Sequence, residues 1–222
     1  MLLIRSSVGR KIIMAVTGQL MVLFVILHVA GNMTIYFDLI NAYAEKLHAF
    51  PPIVWSYRII MITVVLTHIV FGLILKIENL LSNPHGYVIK QSIRKTFASE
   101  TMIWSGAFIA LFIVYHLFHF TVQSINPELS ARLNTDAMGR PDVMNMLVGN
   151  FQIASIGLFY VSGMIALLLH LSHGVQSSFQ TLGLNSEKSI PIIVKAGKLA
   201  AFLIFVAYVS IPILIMVGLM DL

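Results

Sequence analysis

IIMAVTGQLMVLFVILHVA, residues 12–30, contains no charged side chain. At ~1.5 Å of rise per residue it makes a helix of roughly 28 Å, close to the thickness of a bilayer's hydrocarbon core. A lipid-exposed backbone satisfies its own hydrogen bonds only as a helix or a closed barrel, so the stretch reads as a membrane-spanning helix. Arg5, Arg10 and Lys11 stand before it, as they would in a signal peptide. The run is longer than a usual signal core and no small-residue cleavage site follows, so it is expected to be retained as a first span.

Four more apolar stretches follow, and the expected spans lie at about 12–31, 54–76, 101–123, 150–177 and 198–220. The fold class is therefore all-α: one transmembrane domain over residues 1–222, a bundle of five helices in a lipid bilayer. Composition agrees. Hydrophobic residues make up 58% of the chain and charged ones 10%, with a mean hydropathy of +0.90. Soluble domains carry roughly a quarter charged residues. Five spans and short loops use the whole length and leave no room for a separate soluble catalytic domain.

The net charge of +5 belongs to the loops. Arg5, Arg10, Lys11, Lys76, Lys90, Arg94, Lys95, Lys188, Lys195 and Lys198 fall on the side of the N-terminus. Lys46, Arg58, Arg132 and Arg140 fall on the other. By the positive-inside rule the N-terminus is cytoplasmic and the C-terminus external, in a multi-pass protein of the cytoplasmic membrane. The basic residues set topology, and no nucleic-acid partner is expected. The outer loop 126–141 is expected to hold a short surface helix. Ser82-Asn83-Pro84-His85-Gly86 is a turn signal that ends the second helix.

Cysteine is absent, which excludes disulfides, Cys-ligated iron–sulfur clusters and covalent haem attachment. Histidine is not: His28, His68, His116, His119, His170 and His173 all fall inside expected spans. Ionisable residues at membrane depth are costly, face the bundle interior and mark function. Alone, each would read as a histidine bonded between helices; six in four consecutive helices read as ligands. His28 and His116 lie near the outer ends of spans one and three, and His68 and His173 nearer the inner ends of spans two and four. Two pairs at two depths suit axial ligation of two stacked haems by the first four helices.

Thr17-Gly18 stands ten residues before His28, and Ser105-Gly106 ten residues before His116. Ten residues are roughly 15 Å of helix, so both glycines sit at the depth of the inner haem, where a missing Cβ lets a porphyrin face approach the backbone. Their plainer use is close helix packing. The shared spacing favours His116 over His119, and Gly174 beside His173 favours His173 over His170. His119 and His170 are then propionate partners or quinone contacts. A di-iron centre or a proton-coupled transporter would need carboxylates inside the spans, and there are none.

Ser6-Ser7-Val8-Gly9-Arg10-Lys11, the run from Thr17-Gly18 to His28-Val29-Ala30-Gly31-Asn32, and His173-Gly174 followed by Gln180-Thr181-Leu182-Gly183 resemble the di-haem cytochrome b anchor of bacterial succinate:quinone oxidoreductases, the succinate dehydrogenases and fumarate reductases with a single five-helix membrane subunit. The resemblance spans essentially the whole chain. It implies two haem b groups, the inner held by His68 and His173 and the outer by His28 and His116. It also implies electron transfer between a cytoplasmic-side iron–sulfur subunit and a membrane quinone (menaquinone or ubiquinone), with dicarboxylate chemistry on a separate flavoprotein subunit. Arg10 and its basic neighbours would suit propionates and the docked partner. Quinone contacts are expected from Asn32, His119 and Gln123 near the outer haem, or from Ser7, Arg10 and His85 near the inner face. Some relatives carry a glutamate two residues before the last ligating histidine, where this chain has Leu171, so a proton route through that group is not implied. The rival readings are a cytochrome b of a formate dehydrogenase or hydrogenase, and a haem-free transporter or anchor.

Overall fold

A computed structural model describes residues 2–82 and 97–221. Residues 83–96, with the expected turn from Asn83 to Gly86, His85, Lys90, Arg94 and Lys95, lie outside the described residues. Among those described there is no strand, only an isolated bridge between Thr135 and Pro141. Five helices are long and apolar enough to cross a membrane, so the chain is an all-α, multi-pass membrane protein.

The first span, Ser7–Asn32, begins five residues before its apolar run because Ser6 caps it: the hydroxyl accepts from the Gly9 N–H at 3.0 Å. It runs on as a 3-10 turn, Met33–Phe37, closed by Asp38 in the left-handed conformation. The second span, Pro51–Leu81, opens on two prolines, where a missing N–H breaks no helical bond. The third, Met102–His116, widens into a π-helical turn over Leu117–Val122 and stops at Gln123 with φ 58°. The fourth is Ala154–Thr181 and the fifth Ile190–Met216, with Pro212 inside it. Span four starts later than expected because a separate helix, Val143–Phe151, precedes it, capped by the Asp142 carboxylate on the Asn145 N–H. The expected surface helix of the outer loop is a single 3-10 turn, Pro127–Leu129. A further surface helix, Ile40–His48, joins spans one and two.

Span one packs on spans two and four, span three on four, and span five along four and one. The diagonal pairs, one with three and two with four, barely touch through their backbones among the described residues. What fills the space between diagonals is therefore side chain. The tightest packing is at the outer end, where Ile35, Ile40, Phe112, Val148, Phe151, Tyr160, Met164, Ile211 and Ile215 form one buried cluster. A Cβ on Gly163 would lie 2.5 Å from the Phe112 ring, so glycine is what admits that ring between spans three and four. Span two, by contrast, buries only Val54 fully and turns most of its apolar surface outward, as a helix solvated by lipid does.

Candidate functional site

Two imidazole pairs face each other across the two diagonals. His28 of span one and His116 of span three have ring centroids 5.9 Å apart with planes at 75°. His68 of span two meets His170 of span four at 6.4 Å and 66°. The partner of His68 is thus His170, not the His173 that the adjoining Gly174 favours. His173 lies one turn further on, where its Nδ1 takes the Gln176 amide at 3.2 Å.

The inner pair is held by a repeated device. His68 Nδ1 lies 3.1 Å from the Met14 carbonyl, which only accepts, so this nitrogen carries the proton. The Thr17 hydroxyl, 3.2 Å away, donates to the Ile13 carbonyl and is left to accept from the same Nδ1. Across the same diagonal His170 makes a backbone hydrogen bond to Met102 and sets its Nδ1 3.3 Å from the Ser105 hydroxyl, which donates back to the Met102 carbonyl. Each imidazole also sets its Cε1–Nδ1 edge against a glycine. A Cβ on Gly18 would meet His68 Cε1 at 3.3 Å, and one on Gly106 would meet His170 Cε1 at 3.2 Å. Where a porphyrin face was expected over these glycines, the nearest groups are the imidazoles of His68 and His170.

Met14, Thr17, Gly18 and His28 recur at a constant offset as Met102, Ser105, Gly106 and His116. His68 and Gly72 recur as His170 and Gly174, and the Met14 and Met102 methyls lie over Gly72 and Gly174 at matching distances, 3.6 and 3.4 Å from an added Cβ. Spans one and two therefore repeat as three and four. The signal that selects His170 was in the sequence: the glycine lies four residues after His68 and four after His170.

The outer pair is held differently. Tyr208 of span five approaches His28 Nδ1 at 2.8 Å and the Val25 carbonyl at 3.0 Å. Two oxygens that close need a proton between them, so the tyrosine donates to Val25 and accepts from His28 Nδ1–H. Asn32 stands further off the same nitrogen, at 3.4 Å.

His116 reaches the same state through a relay. Asn150 donates its amide to the Met146 carbonyl, which turns its oxygen toward His119 Nε2 at 2.8 Å and fixes the proton there. Asn126 donates to the same oxygen at 2.8 Å. His119 Nδ1 then accepts from Tyr160 at 2.9 Å, and the Tyr160 oxygen accepts from His116 Nδ1 over a long 3.4 Å. Sequence reading missed Tyr160, Tyr208 and Asn150, for which no spacing rule exists.

The four paired imidazoles thus share one tautomer, with Nδ1–H engaged and the lone pair left on Nε2. His119 and His173 have the other. His119, 1% exposed and bonded at both nitrogens, belongs to the scaffold behind His116 and is closed to a quinone. Gln123 is likewise occupied, accepting from Ser130 and the Arg132 N–H. At the inner end Arg10 ion-pairs with Glu78 of span two at 2.5 Å and donates to the Ile4 and Arg5 carbonyls. Among the described residues its Nε–H is buried without a partner.

Chemically, the site offers two sets of two imidazole donors, one from each of two helices. Among the described residues no three His, Asp or Glu side chains converge, so the arrangement suits an ion with four equatorial ligands of its own and not a tetrahedral zinc or a carboxylate-bridged pair. No family model, no curated protein and no solved structure matches the chain.

Proposed function

We propose that the chain is a di-haem cytochrome b of a membrane-bound respiratory complex, with His28 and His116 as axial ligands of an outer haem and His68 and His170 of an inner one. The observation that carries this is the pair of opposed imidazoles on each diagonal, all four with Nδ1–H held by protein oxygen. Two nitrogen–metal bonds of ~2.0 Å and about 1.1 Å from each nitrogen to its ring centre put bis-imidazole centroids roughly 6.2 Å apart. The centroid separations of 5.9 and 6.4 Å bracket that value.

When bound, haem supplies one-electron carriers at two depths, and the protein's work is to fix ligands and exclude water. Met14, Thr17, Met102 and Ser105 orient the inner imidazoles, while Tyr208 and the Tyr160–His119–Asn150 relay orient the outer ones. Backing of this kind raises ligand basicity and fixes ring direction. Gly18 and Gly106 let the inner rings reach the bundle axis. The Arg10 Nε–H, two turns inward of Thr17 and without a partner among the described residues, is a donor suited to a propionate.

In the reading that the resemblance supports, electrons pass between an iron–sulfur subunit on the cytoplasmic side and quinone in the membrane, and a flavoprotein subunit handles succinate or fumarate. Isolation of the complex through a tag on this chain tests it. Co-isolation of a flavoprotein and a Cys-rich protein, with haem bands that succinate reduces or fumarate oxidises, is the expected result. A molybdenum- or nickel-containing partner would assign the cytochrome to another complex.

A further inference from the structure

Spans one to four are a repeat, and a repeat alone would make the two imidazole pairs alike. The inner pair is alike: His68 and His170 rest on equivalent carbonyls, hydroxyls and glycines at the constant offset. The outer pair is not. His116 is backed from span four by Tyr160, whereas His28 is backed by Tyr208 of span five, which has no counterpart in the repeat. Span five contributes none of the paired imidazoles.

We propose that Tyr208 is a positioning residue for the outer haem: by accepting the His28 Nδ1–H at 2.8 Å while donating to the Val25 carbonyl, it makes the outer haem electronically distinct from the inner one. This rests on the haem reading above. The tyrosine's own donated bond polarises its oxygen and strengthens it as an acceptor. An imidazole whose Nδ1–H is so engaged is a better electron donor to the metal and stabilises the ferric state, which lowers the reduction potential. The effect is confined to one ligand, because Tyr208 touches His28 and no other paired imidazole among the described residues.

Tyr208→Phe removes one oxygen and keeps the ring, so the bundle should assemble with both haems. Redox titration of the purified complex, with electron paramagnetic resonance of the ferric low-spin signals, reads the result. The expected outcome is an upward shift of the outer haem's midpoint and a moved outer signal, with the inner haem unchanged. Ser210→Ala, which removes a bond from Tyr36 to the same span at 2.7 Å, should change neither haem. Two haems with unaltered potentials and signals in Tyr208→Phe would overturn the proposal. So would the same shift from Ser210→Ala. A wild type without haem would instead sink the reading beneath it.

Discussion

Protonation of one ring nitrogen separates the four paired histidines from His119 and His173, and it is decided by neighbours far away in sequence. His116 and His119 are one turn apart on the same face, yet Tyr160 and Asn150 give them opposite tautomers. Asn150→Ala leaves the His119 Nε2–H and the Asn126 amide without their acceptor in a buried site. A cost of about 1–3 kcal/mol is expected, seen as a lower melting temperature, with the outer haem released before the inner. An unchanged melt would show that the relay bears no weight. The inner pair has its own sensitive point. Gly106→Ala places a methyl 3.2 Å from His170 Cε1, so the ring must give way by a few tenths of an ångström. Reduced occupancy or an altered spectrum of the inner haem alone is expected, read by haem content and difference spectra.

At the scale of elements, the five spans were legible because lipid demands long uncharged runs, and nothing in the interior contradicts that demand. Their ends were less so. The first helix starts at its Ser6 cap, not at its first apolar residue, and the expected start of span four at 150 takes in the end of the separate helix Val143–Phe151 because the intervening Gln152-Ile153 carries no breaker. The histidine depths were readable as well, but facing was harder: Gly174 beside His173 favours that residue, whereas the four-residue spacing shared by His68–Gly72 and His170–Gly174 agrees with the packing against Met102 and Ser105. In the outer loop, Asp136 is held down to about pKa 2, first by the Arg140 side chain and then by the Arg140 N–H, Asn41 and the Met138 N–H. A depressed carboxylate contributes stability that is complete above its unfolded value of about 4 and is lost as pH falls through about 2. Amide exchange at Met138 and Arg140, both bonded to Asp136 Oδ1 at 2.9 Å, should therefore accelerate over that window. In Asp136→Asn the acceleration should be gone.

For the whole molecule, the loop charges and the repeat make a joint statement. Spans one and two recur as three and four in the same sense across the membrane, as the inner Met–Ser/Thr–Gly and outer His positions require, and span five is added on one side. By the positive-inside rule the basic loops predict a cytoplasmic N-terminus. The absence of cysteine makes this directly testable, since single cysteines can be introduced without background. A cysteine at Thr135 should react with an impermeant maleimide in intact cells, and one at Ser186 only after the membrane is opened. The reverse pattern would invert the topology and put the inner haem on the wrong side for a cytoplasmic iron–sulfur partner.

The most direct test of the central claim is the haem-to-polypeptide ratio and reduced-minus-oxidised spectrum of the wild type beside His170→Ala and His173→Ala. The opposed pairs predict two non-covalent, six-coordinate b haems in the wild type, one in His170→Ala, and two in His173→Ala. No haem in the wild type, or loss from His173→Ala with both retained in His170→Ala, would contradict it.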